Sequence, residues 1–139
     1  MENKKNNAII HGRSLGVSTK FSIEVCNKIR NMKLAKAREF LEDVIIQKRA
    51  LPVGRHNYDL GHKPGIGPGR YPKKTSEMFI KLLNSLEANA ANKGMSVNNL
   101  YIEFAKADKA EKRWRTGRKG RMKMKNTHIE LRAKEMETK

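Results

Sequence analysis

The chain has 139 residues, enough for one domain around one small core. It is 37% hydrophobic and poor in aromatics, and its 31 Lys and Arg face only 14 acids, a net charge of +17. Its one cysteine, Cys26, excludes an intrachain disulfide or a multi-cysteine zinc site, and no apolar run is long enough to span a bilayer.

Residues 1–17 read as a basic N-terminal arm holding at most a short strand near Ile9–Leu15. The opening, MENKKNN and then Ala-Ile-Ile, lacks the apolar stretch of a signal peptide, so a cytosolic or nuclear protein is expected. A helix begins near Ser18, a residue suited to the N-cap, and Phe21, Val25 and Ile29 recur every four residues on one face. Cys26 lies beside Val25 and is expected to be a buried, inert thiol. A second helix runs from about Leu34 to Gln47, with Ala37, Phe40, Leu41, Val44 and Ile45 forming its apolar stripe, and Pro52 stops any continuation.

Residues 48–74 form a Gly/Pro-rich insertion in which Gly61–Gly69 reads GHKPGIGPG. Such a stretch is not expected to hold a regular helix or a central strand. A third helix follows Pro72, from about Thr75 to Lys93, with Met78, Phe79, Leu82, Leu83, Leu86 and Ala90 on its inner face and Ala88, Ala90 and Ala91 permitting close approach of another element. Leu100, Ile102 and Phe104 then alternate with Tyr101, Glu103 and Ala105, the period of a strand with one buried face. His128, Ile129, Glu130 and Leu131 repeat that alternation near the end. The two strands read as an antiparallel hairpin, extended over residues 106–126 around Gly117 and Gly120 and projecting ~30 Å. The expected fold is α+β, three helices packed on a small antiparallel sheet with a long protruding β-hairpin.

Charge is not spread evenly over these elements. Residues 1–20 hold four basics against one acid, residues 46–74 seven against one, and residues 106–125 ten against two, while the intervening segments are almost neutral. Clustering on irregular segments points to a polyanionic partner, because each cation that neutralises a phosphate releases counterions. No basic amphipathic helix or lipid signal suggests a membrane instead. The candidate contacts to nucleic acid are Arg13; Lys48, Arg49, Arg55, His56, His62, Arg70, Lys73 and Lys74; and Lys112, Arg113, Arg115, Arg118, Lys119, Arg121, Lys123 and Lys125. Trp114, an aromatic among these basics, is a candidate for stacking on a base or for capping the hairpin against a neighbour.

Enzymatic and metal readings find little support. Gly65–Arg70 lacks the spacing of a phosphate-binding loop. His56 and His62 lack the further ligands of a metal site, and His11 and His128 lie far off in sequence. No nucleophile–base pair or carboxylate dyad stands out, and most acids are placed on solvent faces of helices. Neither catalytic residues, metal nor cofactor are expected.

The chain resembles the family of large-subunit ribosomal protein twenty-two, numbered seventeen in eukaryotes. The carrying motifs are Lys48-Arg-Ala-Leu-Pro-Val-Gly-Arg-His-Asn57, Gly65-Ile-Gly-Pro-Gly-Arg-Tyr-Pro-Lys-Lys74, Glu87-Ala-Asn-Ala-Ala-Asn-Lys-Gly94 and Thr127-His-Ile-Glu-Leu131. They stand in the family's order over roughly residues 12–132, and the Gly/Pro-rich segment resembles the archaeal and eukaryotic branch. Length points to a single domain over residues 1–139, and the resemblance implies a small α+β body docked on large-subunit ribosomal RNA beside neighbouring ribosomal proteins. It also implies a hairpin that reaches the nascent peptide at the exit-tunnel wall. It places Arg113, Arg115, Arg118, Lys119 and Arg121 at the hairpin tip and Arg55, His56 and Arg70 in an RNA-facing insertion. Between Trp114 and His128 the chain is several residues shorter than its relatives, so the reach of the tip is not carried over. The implied location is the cytoplasmic ribosome, with nuclear or nucleolar assembly in a eukaryote. The alternative is a non-ribosomal nucleic-acid chaperone that uses the same charge.

Overall fold

The computed structural model describes residues 7–136. A three-stranded antiparallel sheet carries the fold: β1 (Asn7–Leu15), β5 (Leu100–Lys109) and β6 (Thr127–Glu135), with β6 in the centre. Helices α1 (Thr19–Ile29), α2 (Leu34–Ile45) and α3 (Lys73–Asn92) cover one face, α1 against β5, α3 against β1 and α2 against α3. A second small sheet of β2 (Leu51–Pro52), β4 (Gly67–Arg70) and β3 (His62–Lys63) forms inside the Gly/Pro-rich segment.

The inner face of the main sheet is built from Ala8, Leu100, Ile102, Ala105, Ile129, Leu131 and Ala133, which meet Val25, Ile29, Leu41, Phe79, Leu83 and Leu86 from the helices in one core. Small residues on the sheet side let the helices close down on it. At Gly12 the approach is tight, because a Cβ there would lie 2.7 Å from Leu15 Cδ1 and 3.1 Å from Leu82 Cδ2. Cys26 is buried in this core, and desolvation pushes its thiol up to about 12, so it is held as an inert apolar group. Ser18 does stand at the N-cap of α1, but its side chain makes no capping bond.

Both sheet edges are covered in part. The turn between α1 and α2 pairs with β5, Asn31 N–H donating to the Ile102 carbonyl (2.8 Å) and Ile102 N–H to that of Met32 (2.9 Å). Along β1, Asn89 Nδ2 donates to the Ile9 carbonyl and Lys93 Nζ to that of Asn7. Such covering removes the unpaired ladder groups that make free edges adhesive.

Several expectations need correction. The short strand expected near Ile9–Leu15 is present but longer, nine residues over Asn7–Leu15 paired with β6, and residues 1–6 of that segment lie outside the described residues. The alternation of Ile9, His11 and Arg13 with Ala8, Ile10 and Gly12 is weakly apolar, so its inward face was hard to read. A central strand does occur in the Gly/Pro-rich segment, at β4, contrary to expectation. It survives because it is short. Its pairing with β2 ends where Pro68 has no N–H to return the bond that Val53 donates to its carbonyl (3.0 Å).

On β5 the period breaks at a bulge between Ile102 and Phe104, so Ala105 takes the buried position and Phe104 turns outward under the Arg132 guanidinium, 4.9 Å from the ring. Of the three small residues on α3 only Ala90 is buried, whereas Ala88 and Ala91 face solvent. Among the described residues two acids are also buried, Glu24 on α1 and Asp43 on α2.

Candidate nucleic-acid interface

Regular pairing of β5 with β6 stops at Lys109↔Thr127. Beyond it the chain makes one isolated bridge, Trp114↔Lys123, and a short 3-10 turn at Gly117–Lys119. Arg115 N–H donates to the Met122 carbonyl and Met124 N–H to that of Arg113, both at 2.8 Å. The hairpin is therefore antiparallel as expected, but its outer part is not a continuous ladder. Like charges packed side by side on paired strands would repel, and the apolar side chains there, Trp114, Met122 and Met124, are exposed and bury little to offset this. Residues 111–119 and 121–125 are all exposed. Trp114 is 59% exposed, with Lys123 Nζ over its ring at 4.6 Å. Lys112, Arg113, Arg118, Lys119 and Arg121 are exposed as well.

The base of this tip lies against the body. Arg115, Met124 and Lys125 share a cleft of about 460 Å³ with Phe21 and the first residues of α3, Lys73 and Lys74. A second cleft of about 310 Å³, also lined by Phe21, brings together Lys20, Arg55, His56 and Arg70 beside Asp59. Because Phe21 lines both, the two clefts are contiguous, and cations from all three basic segments meet on one surface.

Buried polar groups hold that surface in shape. Thr127, fully buried, donates its hydroxyl to the Val17 carbonyl (3.0 Å) and lies 2.7 Å from the Thr19 hydroxyl, which ties the root of the hairpin to the start of α1. Glu24 accepts the Arg55 backbone N–H (3.1 Å) and so pins the insertion to α1, where His56 takes a left-handed φ of 54°. Asp43 accepts the backbone N–H groups of Lys48 and Arg49 on its carbonyl, and its carboxylate lies 3.7 Å from Lys48 Nζ and 3.2 Å from Arg49 Nε. Those two candidates thus stand apart from the Phe21 surface and are partly neutralised.

Arg13 and His62 are also placed elsewhere. Arg13 lines a cleft of about 370 Å³ with His11, His128, Asp108 and Glu130, so two carboxylates weaken its pull on an anion. His11 and His128, distant in sequence, lie on adjacent strands there, and His128 Nδ1 accepts the Ser14 N–H (3.0 Å). Nearby, Asp108 hydrogen-bonds Lys106 (2.9 Å) and attracts its charge, which raises the lysine's pKa. His62 is exposed on β3 opposite Pro68. Lys20 and Phe21 were missed from sequence; Lys20 belongs to the first basic run, whereas nothing in the pattern singled out Phe21 as a wall shared by two clefts. Among the described residues no three His, Cys, Asp or Glu come together to hold a metal ion, and no helix is long and apolar enough to cross a membrane.

The profile of ribosomal protein L22p/L17e matches residues 10–134, a span that includes both clefts and the whole hairpin. The chain belongs to the ribosomal protein L22p/L17e family. Among its relatives, "Large ribosomal subunit protein uL22" of Cenarchaeum symbiosum is 44% identical over 130 residues, 88% of this chain and 86% of that one. The protein of the same name from Archaeoglobus fulgidus is 43% identical over 101 residues, 70% of this chain and 65% of its own length. That from Methanosphaera stadtmanae is 40% identical over 128 residues, 86% of this chain and 83% of the relative. The resemblance to the archaeal and eukaryotic branch is thus met on its archaeal side. Membership makes the chain a structural ribosomal protein rather than an enzyme.

Proposed function

We propose that this structural constituent of the large ribosomal subunit acts as a single domain that binds large-subunit ribosomal RNA through the surface around Phe21 and directs its hairpin tip toward the nascent peptide. The observation that carries the reading is the meeting of cations from the N-terminal, insertion and hairpin segments in two contiguous clefts, with Asp59 the one acid lining them. Backbone phosphates fit such a surface, since Lys and Arg neutralise them without reading sequence. Cytoplasmic ribosomes are the expected location, and neighbouring large-subunit proteins are further partners.

The tip's part in the reading rests on its exposure and on Trp114, which offers a ring face to a base or to the passing chain. The test is incorporation. Large subunits isolated from cells carrying a Lys74→Glu, Arg115→Glu variant should hold less of the chain than wild type, with the rest in the ribosome-free fraction. Wild-type occupancy by the folded variant would remove the phosphate-binding role of this surface. A wild-type chain that sediments with neither subunit would favour the non-ribosomal chaperone. A photoreactive residue at Arg118 should cross-link to a stalled nascent peptide, and cross-links to RNA alone would confine the tip to an RNA contact.

A further inference from the structure

A third recess lies away from the Phe21 surface. It is a groove of about 700 Å³ between the helices and the small sheet, within the roughly 300–1,000 Å³ typical of ligand sites. Its walls combine two kinds of group. Lys28 from α1, Lys36 from α2 and Lys63 from β3 supply positive charge, with Glu39 the one acid among its lining residues. Tyr71, Pro64 and Ile66 supply apolar surface, and Ile66 is 40% exposed. Lysines already sit over the rings, Lys63 Nζ 5.4 Å from the Tyr71 centroid and Lys28 Nζ 5.6 Å from that of Phe40.

Part of the groove's wall packs against a glycine. A Cβ at Gly69 would stand 3.1 Å from Ile66 Cδ1, 3.1 Å from Lys63 Cγ and 3.2 Å from Ala50 Cβ. All three neighbours line the groove, so the missing side chain on β4 leaves them room to lie back and keep it open.

We propose that this groove holds one unstacked RNA nucleotide, its base on the Tyr71 ring beside Pro64 and Ile66 and its phosphate among Lys28, Lys36 and Lys63. The inference rests on the RNA-binding reading and adds to it a recognised chemical group. Charge selects an anion, and the aromatic ring selects a flat one. A base still paired in an A-form helix cannot enter a recess of this kind, so the groove takes single-stranded RNA, a bulge or a splayed loop base. On binding, Lys63 exchanges its place over the ring for a phosphate oxygen.

The test compares a labelled single-stranded U8 oligonucleotide with a 12-base-pair RNA duplex on the full chain at fixed salt. Tyr71→Ala should weaken U8 binding by about tenfold, the loss of one stacking platform, and leave duplex binding unchanged. Tyr71→Phe should bind U8 like wild type. As a readout that needs no variant, an oligonucleotide carrying 4-thiouridine should cross-link on irradiation to the peptide containing Tyr71. Equal loss of both probes in Tyr71→Ala, or cross-links confined to residues around Phe21 and Trp114, would overturn the nucleotide pocket while leaving the wider RNA reading in place. Competition by octaglutamate as strong as by U8 would show a groove for acidic peptide and overturn it too. Failure of wild type to bind either RNA would remove the general reading itself.

Discussion

Thr127 has no apolar or charged pattern to mark it, yet its hydroxyl joins the Val17 carbonyl and Thr19 at the point where the hairpin leaves the sheet. Replacing it by Val keeps the shape and removes the bonding, leaving the Val17 carbonyl without that partner. Thr127→Val is therefore expected to cost about 1–3 kcal/mol in urea unfolding; a loss under about 0.3 kcal/mol would show that water takes over the bonds. Leu83 is the opposite case, legible at once as the middle of the apolar stripe on α3 and fully buried in the core. Leu83→Ala should cost about 2–5 kcal/mol by the same measurement, through lost burial and the cavity left behind. The difference between the two residues is general here. Apolar positions announce themselves by period, whereas Glu24 and Thr127 are buried against partners in distant parts of the chain, and Asp43 against the cations that follow its own helix.

At the scale of elements, the helices were readable to within a few residues because three or more turns of stripe repeat the same evidence. Strands were readable in kind but not in register. One extra residue at the β5 bulge sends Phe104 to the outer face and Ala105 to the core, a change that strict alternation cannot contain. The Gly/Pro-rich segment hid its small sheet because two-residue strands have no period at all. The hairpin's irregular outer part was foreseeable from charge, and its order should depend on a partner. Ordering each residue costs about 1–2 kcal/mol, and residues 111–125 bury no apolar side chain to offset it. Amides of residues 115–124 are therefore expected to exchange with solvent almost unprotected in the free chain and slowly in large subunits. The amides of β6, central in the sheet, should be protected in both states. Strong protection of Arg115 and Met124 in the free chain would mean that their 2.8 Å bonds to Met122 and Arg113 suffice, and that the tip is self-supporting.

For the whole molecule, the question is whether its +17 charge acts as a diffuse cloud or as a shaped surface. Sequence separated basic segments from a nearly neutral helical body, but it could not show that the segments converge. Folding brings Lys20, Arg55, Arg70, Lys73, Lys74, Arg115 and Lys125 to two clefts that share Phe21. Were each to meet one phosphate, binding would release at least six counterions. Affinity for a large-subunit RNA fragment should then fall by about 10³ or more between 50 and 200 mM salt. A diffuse cloud would also produce a salt slope, so the decisive measurement is how the slope changes with position. Neutralising Lys20 and Lys74 together, each to Gln, should reduce its magnitude by about 2, one unit for each phosphate no longer neutralised. Neutralising Lys33 and Lys81, exposed cations outside both clefts, removes the same net charge and should leave the slope nearly unchanged. Equal effects of the two pairs would show that only total charge matters and that the clefts around Phe21 have no special part in holding RNA.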